Sequence, residues 1–105
     1  MALKYLAYSI EWSPEALRSF DTIIHYIEER FSISAAQKFA KRTMSIVVLI
    51  AERPELFRKS EKSKNKHIVV VTKQTTLYYR VNHRKKLVQL LLFWDTRQNP
   101  ASLNY

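Results

Sequence analysis

The stretch Leu77–Pro100, LYYRVNHRKKLVQLLLFWDTRQNP, decides the fold. It reads as two strands, Thr75–Asn82 and Leu87–Asp95, separated by the polar run His83-Arg84-Lys85-Lys86 and followed by a polar tail. The strands are apolar enough to build a core, yet Arg80, the His83–Lys86 run and Arg97 do not suit one, so they face water or an anionic partner. Immediately upstream, Lys66–Thr72 reads as a third strand. Connections this short cannot make the crossover that a parallel pair requires, so the three strands form an antiparallel meander.

Alternation separates the two faces of that sheet. Leu77, Tyr79 and Val81 form the set suited to packing under helices, and Tyr78, Arg80 and Asn82 form the other. On the last strand Val88, Leu90, Leu92 and Trp94 alternate with Gln89, Leu91, Phe93 and Asp95, and the second set is the better candidate for the open face. A single sheet with helices on one side then leaves a partly apolar face exposed, a surface that suits a partner.

The helices come from the first half. Tyr5–Trp12 reads as a strand, stopped at Ser13-Pro14, where Ser13 is a helix N-cap, Pro14 the first helical residue and Glu15 a favourable charge at the positive end of the dipole. Leu17, Phe20, Ile24, Ile27 and Phe31 follow at spacings of three and four, an apolar stripe on a helix ending near Ser32. Ser34 is placed to cap a second helix, Ala35–Glu52, with Ala36, Phe39, Ala40, Thr43, Val47 and Ile50 along one side. Arg53–Lys64 contains Pro54 and many charges without an apolar period, and reads as a mobile loop. The expectation is an α+β fold of order β-α-α-β-β-β, one domain over residues 1–105, with the meander packed on an N-terminal helical hairpin.

Charge is distributed unevenly. Residues 1–52 balance six basic against six acidic groups, while residues 53–105 hold twelve basic against three acidic, so the whole net charge of +9 lies in the second half. That asymmetry favours a polyanionic partner, nucleic acid or an acidic protein segment. The absence of cysteine excludes disulfides, thiolate nucleophiles and thiolate metal sites. Without glycine there is no phosphate-cradling loop, and Asn65, Asn82, His83 and Asn99 are the candidates for any residue at positive φ. His25, His67 and His83 lack metal-ligand spacing, so neither a metal nor a cofactor is expected. The N-terminus makes a poor signal peptide and the longest apolar run, Ile46–Ala51, is too short to span a bilayer, which fits a soluble, cytoplasmic protein without a membrane partner.

The opening IEWSPEA (Ile10–Ala16), the YRV of Tyr79–Val81 and the closing LLFWDTRQNP (Leu91–Pro100) occur in the order strand, helix hairpin, meander. In this the chain resembles the RelE/ParE superfamily of bacterial type II toxin-antitoxin modules, the plasmid stabilisation family. The resemblance implies a small basic toxin held inactive in a hetero-oligomer by a cognate antitoxin, whose acidic extended segment wraps it. ParE-like members inhibit DNA gyrase, whereas RelE-like members enter the ribosome and cut messenger RNA. Metal-free RNA cleavage needs an acid, a base and cations that stabilise the phosphorane. Under the RelE-like alternative, the resemblance implies that Arg80 or Arg97 supplies the cation, with Lys66 and His67 serving the same site; His67, His83 and Tyr105 are the candidates for acid and base, and none matches the pattern well. No complete acid-base set is visible, so the ParE-like reading leads. The partner-contacting residues expected are Lys66, Tyr78, Arg80, Arg84, Lys85, Phe93, Trp94, Asp95 and Arg97. Plainer alternatives stand beside these: Arg80 paired with Asp95 or a neighbouring carboxylate across the sheet, Phe93 and Trp94 in the core, Asp95, Arg97 and Asn99 fixing the chain exit, and His83–Lys86 as a solvated turn.

Overall fold

A computed structural model describes residues 7–63 and 65–96; the expectations resting on Tyr5, Leu6, Arg97, Asn99 and Tyr105 lie outside the described residues. Six elements follow in order: β1 (Ser9–Trp12), α1 (Pro14–Arg30), α2 (Ile33–Glu52), β2 (Lys66–Thr72), β3 (Thr75–Asn82) and β4 (Leu87–Asp95). The sheet runs β1-β4-β3-β2, with the β2-β3-β4 meander antiparallel as expected. To it the structure adds β1, paired parallel with β4 from Ser9 opposite Leu87 to Trp12 opposite Leu90. Parallel pairing is possible here because the whole helical hairpin lies between the two strands in the chain. Among the described residues no helix is long and apolar enough to cross a membrane.

Ser13 caps α1 as expected, its Oγ accepting from the Ala16 N–H, with Pro14 at the first turn. The apolar stripe is offset from the one anticipated. Phe20, Ile24 and Ile27 of that stripe pack against the core, joined by Ala16 and Ile23, while Leu17 and Phe31 are 54% and 72% exposed. The second helix begins two residues early, because Ser32 rather than Ser34 accepts from the Ala35 N–H. Both serines offer the same chemistry, and the chain reverses at Phe31-Ser32, which leaves Ser34 inside the first turn. Ala36, Phe39, Thr43, Val47 and Ile50 are buried, as read from the spacing.

The main core lies between the helices and one sheet face: Phe39, Val47, Ile50, Val69, Val71, Leu77, Tyr79, Val88, Leu90 and Phe93. Fully burying each large aliphatic side chain in it contributes about 1.5–3 kcal/mol. Trp12, Phe20, Phe39 and Phe93 form an aromatic group within it. Trp12 and Phe93 stack at 5.6 Å, and Phe20 meets Trp12, Phe39 and Phe93 at 5.2–5.8 Å.

Strand parity holds on β3 and fails midway along β4. Opposite β3 the register steps from Tyr79–Leu90 to Tyr78–Leu92, so Leu91 is an extra residue, a β-bulge. Beyond it Phe93 turns under the helices, while Leu92 and Trp94 join Tyr78, Leu91 and Ile68 on the other side, reversing the assignment expected from alternation. That second face is also less bare than expected. Tyr78, Leu91 and Leu92 are only 7–8% exposed, a small second cluster.

Two other expectations change. Among the described residues Lys86, at φ 50°, is the one at positive φ, in place of the asparagines. Asn82 instead uses its side chain, Oδ1 accepting from the Lys85 N–H at 3.0 Å, and the chain returns to β4 through a left-handed Lys86. The segment after α2 is not a loose loop. Ile68 N–H donates to Arg58 O (2.9 Å) and Ser60 N–H to Lys66 O (2.7 Å), so Arg58–Ser60 pairs along the outer edge of β2.

Candidate functional site

The register puts Lys66 opposite Arg80, Arg80 opposite Gln89, and Gln89 opposite Glu11. These four side chains form a polar row across all four strands on the face away from the helices, and Gln89 Nε2 donates to Glu11 Oε1 at 3.0 Å. Arg80 is exposed. Tyr78 shares this face two residues earlier in β3; burial pushes its phenol above the usual range, and the nearby Arg58 charge opposes that. Pairing of Arg80 with Asp95 is ruled out by the register. Asp95 lies opposite Thr75, five residues along β3 from Arg80, a separation of about 17 Å at ~3.4 Å per residue.

Phe93, Trp94 and Asp95 lie further along β4 from this row, Phe93 on the helical side and Trp94 on the open one. With Tyr26, Ile27, Phe31, Phe39, Lys38 and Arg42 they line a groove of about 780 Å³ between the hairpin and the β2–β3 end of the sheet. Its wall is set by two links. The Arg42 guanidinium donates through Nε to Val71 O where β2 changes register, and the Thr96 N–H donates to Gln74 O (2.8 Å). Ser13 Oγ donates to Leu91 O and Ser19 Oγ accepts from the Phe93 N–H, so α1 takes over the edge of β4 where β1 stops. Arg84 and Lys85 stand exposed in the β3–β4 turn, away from the groove.

His67 is not beside Arg80. It pairs with Tyr79, one position earlier in β3, and therefore leaves the sheet on the helical side, 2% exposed and stacked on the Tyr79 ring at 5.0 Å. Its Nδ1 lies 3.0 Å from Phe57 O and its Nε2 3.8 Å from Glu55 Oε2. The same Glu55 oxygen is 2.5 Å from His83 Nε2, and His83 Nδ1 is 2.6 Å from Tyr8 Oη. The His83 hydrogen bond holds the Glu55 carboxyl below the usual carboxylate range against the opposing effect of burial, with the charges of His67, His83 and Lys59 adding to it. Glu55 and Tyr8 were not anticipated, and no sequence signal marks them, since Glu55 sits in a charged segment without periodicity. Among the described residues no group of three His, Cys, Asp or Glu side chains is arranged to hold a metal ion.

A polar row thus lies on one face, a groove on the other and a basic turn at one end. The family model described as ParE toxin of type II toxin-antitoxin system, parDE, matches residues 10–100. The chain belongs to the ParE toxin family. No curated protein matches it by sequence. Among solved structures, the chromosomal ParDE toxin-antitoxin system from P. aeruginosa is similar, with 17% identity and a TM-score of 0.73 over 87% of this chain and 98% of that one. The archaeal RelE–RelB complex from Pyrococcus horikoshii OT3 is 12% identical with a TM-score of 0.62 over 90% and 100%. The isolated E. coli RelE toxin is 14% identical with a TM-score of 0.60 over 91% and 92%. At these identities the structures share the fold with this ParE-family chain, a RelE/ParE-type α+β toxin fold.

Proposed function

We propose that this ParE-family toxin arrests growth by binding DNA gyrase rather than by cutting RNA, and that a cognate antitoxin neutralises it through an acidic extended segment. The observation that carries this reading is the placement of His67 and Arg80 on opposite faces of the sheet. A phosphodiester held by Arg80 on the open face finds no imidazole there to move its protons, because the ring of His67 is stacked on Tyr79 beneath the helices. The family match adds to it. The concentration of positive charge in the second half suits an acidic antitoxin segment and gives fast, salt-sensitive association.

The RelE-like alternative draws on the adjacent cations Lys66 and Arg80, which could hold a phosphate. Primer extension on messenger RNA after induced expression separates the two. Intact translated messages with an induced DNA-damage response are expected. Discrete cuts within codons would replace the gyrase reading with the nuclease.

A further inference from the structure

The segment Arg53–Ser60, whose last three residues pair with the outer edge of β2, is tied down near its start by one carboxylate facing two imidazoles. Glu55 Oε2 meets His83 Nε2 at 2.5 Å and His67 Nε2 at 3.8 Å. The two histidines are not equivalent. His83 Nδ1 faces a hydroxyl, Tyr8 Oη, which donates to a neutral ring and accepts from a charged one, so this contact survives either protonation state. His67 Nδ1 faces a carbonyl, Phe57 O, which only accepts; that nitrogen therefore carries the proton, and in the neutral ring Nε2 is a bare lone pair aimed at a carboxylate oxygen. Two acceptors facing each other at 3.8 Å repel, and a second proton on His67 turns the contact into an ion pair.

We propose that His67 and Glu55 form a proton-operated latch on this segment, closed when His67 is charged and loosened when it is neutral. Opening frees the β2 edge at Lys66 and Ile68 and withdraws Arg58 from its place near Tyr78 on the open face. The titratable groups acting on the pair come from each neighbouring part of the fold. They are His83 from the β3–β4 turn, Lys59 from the segment itself, and the Tyr79 phenol of β3, which the Glu55 charge pushes further up. The sign follows from the charges. The ion pair exists where Glu55 is ionised and His67 protonated, so the latch tightens as falling pH charges the ring and fails again in acid once Glu55 takes a proton. Glu55 stays ionised below the ordinary carboxylate range, which widens the closed window on its acid side. The latch holds whichever target the toxin takes.

Amide hydrogen exchange on the full chain tests it, read as protection factors for Ser60 (bonded to Lys66 O) and Ile68 (bonded to Arg58 O) at pH 5.5 and 7.5. Both should lose protection about two- to fivefold at the higher pH, as expected for a partly exposed ion pair. The Leu77 amide of the central strand should not change, and Glu55→Gln should abolish the pH dependence, whereas His83→Gln should retain it. A loss of equal size in Glu55→Gln, or no loss in the unmodified chain, overturns the proposal. So does a His67 ring whose NMR shifts show no proton uptake between those pH values.

Discussion

His67 and Arg80 sit on neighbouring strands, diagonal to each other by one residue, and leave the sheet on opposite sides. A single step in strand register thus separates a buried structural imidazole from an exposed cation. Substitution should reveal the division. His67→Gln removes a ring stacked on Tyr79 and bonded to Phe57 O, and should cost about 1–3 kcal/mol in denaturant unfolding while growth inhibition persists in cells that retain folded protein. Arg80→Ala should leave stability within about 0.5 kcal/mol and weaken growth inhibition on induction. Loss of toxicity in His67→Gln at unchanged stability would return the imidazole to the chemistry.

Phe20 joins three aromatic rings from β1, α2 and β4. Truncation to Ala should cost about 3 kcal/mol, the lower end for buried phenylalanine because the ring is only partly buried. Chemical denaturation with an unchanged slope checks it. Leu17→Ala, on the exposed side of the same helix, should cost about 0.5 kcal/mol or less.

Ser13 has two bonds to lose. Its Oγ accepts from the Ala16 N–H at 3.0 Å and donates to Leu91 O at 3.1 Å at the bulge of β4. Ser13→Ala should cost about 1–2 kcal/mol, and faster amide exchange near Leu91 as well as in the first turn of α1 would distinguish this double role from simple capping.

Tyr79 predicts the alkaline limit. Burial, aided by the Glu55 charge, pushes its phenol far above the usual tyrosine range, and the hydroxyl donates to Pro54 O at 2.8 Å. The native state therefore keeps a proton that the unfolded chain gives up near pH 10. The stabilisation is complete below about pH 10 and is lost as pH rises toward the folded value. Unfolding followed between pH 9 and 12 should show stability falling above pH 10, with a shallower fall in Tyr79→Phe.

Much of this fold is legible along the chain. The bounds of β2, β3 and β4 follow from apolar stretches broken by the short polar turns at Lys73-Gln74 and His83–Lys86, and α1 is announced by Ser13-Pro14. What escapes is set by neighbours distant in sequence. In Leu90-Leu91-Leu92-Phe93-Trp94 every residue is apolar, so alternation gives no sign that one is a bulge, and Phe93 and Trp94 exchange faces. The parallel pairing of β1 with β4 depends on where the hairpin returns the chain. The Arg58–Ser60 edge is made by backbone bonds that any side chains could accompany. The candidate site suffers most, since the same parity that places Arg80 correctly also sends His67 under the helices, and Glu55 and Tyr8 meet His83 across 28 and 75 residues.

Supercoiling of relaxed plasmid by purified gyrase, with the purified toxin titrated in, is the most direct test of the proposed activity. Loss of supercoiling with accumulation of gyrase-cleaved DNA, relieved by adding the cognate antitoxin, is the predicted result. Full supercoiling at a large molar excess of folded toxin, alongside messenger RNA cut on ribosomes by the same preparation, would contradict it.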